Sequence, residues 1–220
     1  MDLREWIASD HAFVIGRFHS AIAQHVPVAQ WKGRRTGVNS AEHGDDRHGD
    51  DRRDDRRDGH GDGHGKDGPS IAWLLFHTTY HQDLALNTAI RDHAPILADH
   101  RSALGLAELG PEAGLTESED PVVTDALSLA HLGEYVDAVN ARTATWIDHL
   151  STMALDSVPS SSYRLEHLAG IPADGPMDWL HSMWNGKPVS WLVQWECIGH
   201  GHAHVGEMVG IRNRLGLSPF

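Results

Sequence analysis

Apolar residues in this 220-residue chain recur at spacings of three and four over four long stretches, and no strand pattern competes. That period is the signature of amphipathic helices. In residues 3–26 it is carried by Leu3, Trp6, Ile7, Val14, Phe18, Ala21, Ile22 and His25, and Pro27 closes the stretch. Gly68, Pro69 and Ser70 punctuate the next start, with the proline suited to a first helical turn. Residues 70–94 then place Trp73, Leu74, His77, Leu84 and Thr88 on one broad face, before Pro95. The acidic segment ESEDP opens a third helix, predicted over 122–152, where carboxylates favour the positive helix end. Pro188 and Ser190 open the fourth, which runs to Leu215 and stops at Gly216 and Pro219. Between them lie a long connection at 96–121, with a short helix around 100–109, and an irregular stretch at 153–187, with a short helix near 177–184. Together these predict an all-α chain, a four-helix bundle forming one domain over residues 1–220.

One segment cannot join that core. Residues 43–68, HGDDRHGDDRRDDRRDGHGDGHGKDG, hold no large apolar side chain. Such a segment has nothing to bury against its ordering entropy, so it is expected to be a disordered polar insertion between helices one and two. Its histidines, His43, His48, His60 and His64, fit either a solvated loop or a weak metal-gathering arm. The formal net charge of -13 argues against nucleic acid and against anionic membrane surfaces as partners. No apolar stretch approaches the ~18 residues of a membrane span. The N-terminal residues are charged throughout and do not resemble a signal peptide. Cys197 is the only cysteine, which excludes an intrachain disulfide and fits a reducing cytoplasm.

Eighteen histidines are the compositional outlier. The informative ones lie on the helices. His200 and His204 are four residues apart, about one turn, so they project side by side and can chelate one divalent ion. At about 100° per residue, Val193, Glu196, Cys197 and Glu207 share their face within about 60°, while His202 points to the opposite side. His77 sits on the apolar face of helix two, with His81 one turn further along that face. If helices two and four run antiparallel, His77 (roughly 12 Å from the start of its helix) and His204 (roughly 16 Å from the end of its own) lie at nearly one level. A third imidazole from a facing helix would complete an open metal site. Glu207 is placed either to orient an imidazole or to act as a general base, and equally to be a helix-end or dimer-contact charge. Glu196 is similarly placed. Cys197 is read as a small buried core residue rather than a ligand or reactive thiol. Trp73, Trp191 and Trp195 are read most simply as core.

Two segments, SIAWLLFHTTYHQDLALN and HGHAHVGEMVGIRNRLGL, resemble the DinB-like superfamily, in particular its actinobacterial branch. The family pattern is a helix-two histidine after an apolar run, then HxxxH followed by a variable residue, glycine, and glutamate or glutamine. Here that reads His77, then His200 and His204 followed by Val205, Gly206 and Glu207, with Arg212 and LGL closing the helix. The resemblance covers most of the chain in helical outline and is specific at these two segments. It implies an up-down-down-up bundle, a metal site of His77, His200 and His204, and zinc, nickel or another divalent ion. It also implies pairing into a homodimer. Related enzymes depend on mycothiol or bacillithiol, so the expected function is metal-dependent thiol S-transfer on a small molecule, with Glu207 the candidate catalytic carboxylate. The insertion at 43–68 departs from the family pattern. Metal-hydroxide hydrolysis is a chemical variant of the same site. The alternatives are a non-catalytic metal-binding or metal-handling protein, and a bundle whose histidines are only structural.

Overall fold

The computed structural model describes residues 2–33 and 68–220, and the described residues form helices and connections with no strand. The predicted insertion, apart from Gly68, lies outside the described residues. The first helix, α1 (Leu3–Phe18), starts at an Asp2 cap: Asp2 Oδ1 accepts from Glu5 N at 2.8 Å, and Glu5 Oε2 accepts from Asp2 N at 2.9 Å. Two orphan donors are satisfied reciprocally. The helix continues as a π-helical turn, His19–Ala23.

Ser70 caps the second helix, α2 (Ile71–Asp83), accepting from Trp73 N at 3.0 Å, so Pro69 precedes the cap instead of entering the first turn. The helix extends through a π-helical segment, Leu84–Ile90. Sequence spacing predicts one buried face here; instead, every residue of Ile71–Asp83 except Thr78 is buried. The run IAWLLF leaves no polar face to turn outward, and a helix apolar all round belongs in the middle of a protein.

After the short α3 (Leu97–His100), the helix predicted at 122–152 is two helices, α4 (Asp120–Ala126) and α5 (Leu129–Asp148). The break has a tertiary cause. Leu127 turns inward to 1% exposure, and Ser128 N donates to Leu104 O at 2.9 Å rather than back along the helix. The irregular region holds a helix beyond the one expected. This is α6 (Ser161–Ala169), ended by Gly170 in the left-handed region at φ 71°. It is tied down by Arg164, whose Nη1 donates to Ala89 O at 2.7 Å and so satisfies a carbonyl at the end of the α2 extension. The expected short helix is α7 (Asp178–Trp184). The last helical run is continuous: α8 (Val189–Leu192), a π-helical segment (Val193–Gly199) and α9 (His200–Arg214). Both α5 and α9 pack against α1 and against α2. Gly201 permits the α1–α9 approach, since a Cβ there would stand 2.8 Å from Val14 Cγ1. Among the described residues no helix is long and apolar enough to cross a membrane.

The central helix carries a carboxylate that organises its surroundings. Asp83 is fully buried and accepts from Asn87 Nδ2, Ile96 N, Leu97 N and the Tyr135 hydroxyl at 2.8–3.0 Å. Burial pushes its pKa up, and these donors oppose that. Asp83→Ala strands four donors at once, so unfolding free energy in urea should fall by about 3 kcal/mol or more. A loss below about 1 kcal/mol would show that the clamp is not holding α3 and α5 to α2.

Candidate metal centre

Facing positions on α2 and the last helical run bring four imidazoles and a carboxylate together. Ring centroids of His77 lie 4.9 Å from His200 and 5.1 Å from His204, and those of His200 and His204 are 4.6 Å apart. One ligand atom from each of these three lies within 4.8 Å of the others. The sequence-predicted trio is therefore brought together. His77 is 7% exposed, and the side chains of His200 and His204 are each 12% exposed, so the cluster sits at the edge of the core.

The nitrogens of His77 and His204 that face away from the cluster are already engaged. His77 Nδ1 is 2.7 Å from Gly114 O. A carbonyl can only accept, so Nδ1 carries the proton and Nε2 is left with its lone pair. Likewise His204 Nδ1 is 3.1 Å from Glu207 Oε2, which leaves His204 Nε2 bare, 2.9 Å from His200 Nε2. This is the arrangement metal-binding histidines adopt, with the far nitrogen fixed by a carbonyl or carboxylate. Trp73 stacks on His77 at 4.4 Å and fixes the ring plane. Desolvation, and then the neighbouring imidazoles, drive His77 far below the ordinary histidine range, so it stays neutral and ligand-competent. Gly114 is held at φ 95°, where a Cβ would lie 2.3 Å from Phe76 Cε1. Only glycine lets this loop approach α2 closely enough for its carbonyl to meet His77.

A second group shares His200. His81, Glu196 and His200 also offer ligand atoms within 4.8 Å of one another. Glu196 Oε1 accepts from Trp184 Nε1 at 2.6 Å, and its Oε2 is 3.1 Å from His81 Nδ1. Burial alone would raise the Glu196 pKa, but the His81 and His200 imidazoles outweigh it and hold the carboxyl at about 2. Burial lowers His81. The donor chemistry of both groups, three imidazoles in the first and two imidazoles with a carboxylate in the second, fits a divalent ion such as zinc.

Glu207 is 48% exposed and reaches the cluster through His204. Cys197 is buried in the apolar core and belongs to neither ligand group, and its thiol pKa is pushed up, first by burial and then by Glu196. His202 leaves the cluster and lies 3.4 Å from Asp10 Oδ1. Of the tryptophans read as core, Trp73 is fully buried. Trp195, however, is 44% exposed and lies parallel to the His200 ring at 6.1 Å. The roles of His81, Trp184 and Gly114 were not drawn from the sequence. For His81 the signal was present, because HTTYH repeats the one-turn histidine spacing on α2. Gly114 and Trp184 come from connecting segments whose approach no periodicity encodes.

A cavity of about 200 Å³ lies between α1, α2, α5 and α9, and of the cluster only Glu196 lines it. Its wall is largely apolar, with Val14, Phe18, Leu75, Val136 and Val205. At one wall the Gln82 amide meets His11, Asn140 and Thr143 at 2.7–3.3 Å. The chain matches no family model, no curated protein and no solved structure.

Because Glu207 acts on His204 from an exposed position, Glu207→Ala should weaken divalent-metal affinity by about tenfold or more while leaving the unfolding midpoint unchanged. Competition against a chelator reads the first, and thermal unfolding of metal-free protein the second. Unchanged affinity would remove Glu207 from the centre.

Proposed function

We propose that this chain is a divalent-metal protein, with zinc as the leading ion and nickel the second, working as a thiol S-transferase-like enzyme of mycothiol or bacillithiol type on a small molecule. Its long helices, α1, α2, α5 and the run from Val189 to Arg214, are taken as the up-down-down-up four-helix bundle of the DinB-like superfamily. The observation that carries the reading is the convergence of His77, His200 and His204, with the far nitrogens of His77 and His204 already tied to Gly114 and Glu207. A divalent ion held by three neutral imidazoles retains most of its charge and lowers the pKa of a bound thiol or water.

The chain's own groups would do the rest. Gly114 O and Glu207 hold two imidazoles in the tautomer that presents Nε2. Trp195 lies parallel to the His200 ring at the exposed edge of the centre. The cavity beside Glu196 would accept the apolar part of a small substrate, with Gln82 and Asn140 as its polar contacts. Cys197 supplies no nucleophile, since its buried thiol stays protonated, so the reacting thiol must come from outside the chain.

Non-catalytic metal handling is the second reading, because a cluster of four histidines and a glutamate also suits metal capture. The two part on thiol binding. Cobalt(II)-loaded full chain should develop a near-ultraviolet sulfur-to-cobalt absorption on adding a low-molecular-weight thiol, and His77→Ala should lose it. Cobalt bound without any such absorption would favour metal handling. A chain that binds no cobalt would defeat both.

A further inference from the structure

The two nitrogens of the His200 ring face different donors. Nε2 is 2.9 Å from His204 Nε2. Nδ1 is turned to Glu196 Oε2 at 3.5 Å and makes no hydrogen bond, although it is buried. The Glu196 carboxylate is itself completely buried, and no lysine or arginine among the described residues pairs with it. Its partners are the Trp184 indole N–H and His81. Buried carboxylates are paired or coordinate a cation, because an isolated one is costly in the core. Two of the three separations are those of ligands around one ion, and the whole group lies within 4.8 Å. His81 Nδ1 and His200 Nδ1 lie 3.1 and 3.5 Å from Glu196 Oε2. Ligands at ordinary zinc bond lengths in a tetrahedron stand about 3.3 Å apart. Trp184 would then be the outer partner that fixes the carboxylate, as Gly114 and Glu207 fix the imidazoles of the first group.

The geometry points to a second divalent-cation site, made of His81, Glu196 and His200, joined to the three-histidine site through opposite nitrogens of the His200 ring. This rests on the proposed three-histidine site for the first ion alone. Filling both sites needs each His200 nitrogen to offer a lone pair, so the His200 ring proton is released to solvent. The His81 ring proton moves from Nδ1 to Nε2. The centre is thereby a pair of ions bridged by one imidazolate, with His77 and His204 on one side of the ring and His81 and Glu196 on the other.

The test is metal content of the full chain, stripped, loaded with zinc and desalted, compared across variants. The histidines of the 43–68 tract are common to all variants, so differences from wild type are read. Glu196→Gln should hold one ion fewer than wild type, His204→Ala one fewer, and His200→Ala two fewer. His81→Asn, expected to behave as Glu196→Gln, serves if that variant fails to fold by circular dichroism. With copper(II) in place of zinc, the doubly loaded wild type should show electron paramagnetic resonance intensity far below that of two isolated ions, because an imidazolate couples their spins.

Equal metal content in Glu196→Gln, His81→Asn and wild type would overturn the second site and leave the three-histidine site standing. Loss in Glu196→Gln with no loss in His204→Ala would overturn the paired centre and the three-histidine site together. Full two-ion copper intensity would overturn the bridge.

Discussion

Helix α2 is buried on nearly every side, so each polar group it carries has to be answered by the chain wrapped around it. Asp83 draws in the start of α3 and the Tyr135 hydroxyl of α5. Gln82 reaches His11 on α1 and Thr143 on α5. His77 takes the carbonyl of Gly114 and His81 the carboxylate of Glu196. These bonds do what apolar contact alone cannot: they fix which residue of each neighbour stands opposite which residue of α2. An apolar core of this size would tolerate some sliding of its helices, whereas a stranded buried donor would not.

The candidate metal centre is a product of the same constraint. Two histidines one turn apart on a buried helix face a glutamate and two histidines, also one turn apart, on the last helical run. The π-helical segment Val193–Gly199 carries Glu196 into this arrangement immediately before His200. Such wide turns recur at functional sites, where they re-aim side chains. The imidazoles meet at the margin of the core. There, burial keeps His77 neutral while the 12% exposure of His200 and His204 leaves a path for an ion.

The all-helical class and the outlines of α1, α2 and the last run were legible from spacing alone, because long amphipathic periods leave little choice. The convergence of His77, His200 and His204 was legible too, from one-turn spacing and matching axial levels. The break at Leu127 was not, since it depends on Leu104 offering a carbonyl from a separate loop. Helix α6 was hidden by its serines, although Gly170 marked its end. The burial of α2 on every side could have been read from IAWLLF, where six apolar residues in a row exceed one face. Glu196 was placed on the right face but could not be assigned a donor role, because its fixing partner, Trp184, comes from a short helix in the irregular region.

Whether α2 and the last helical run hold a metal between them can be read from the histidine rings themselves. Long-range proton–nitrogen-15 correlation spectra of the histidine rings, recorded on full-length protein before and after zinc, address it directly. The expected result is that His77 and His204 keep the proton on Nδ1 while their Nε2 resonances shift with zinc, alongside those of His200. If those three rings stay unmoved while histidines of the 43–68 tract respond, the helical cluster is a structural feature of the core and not a metal site.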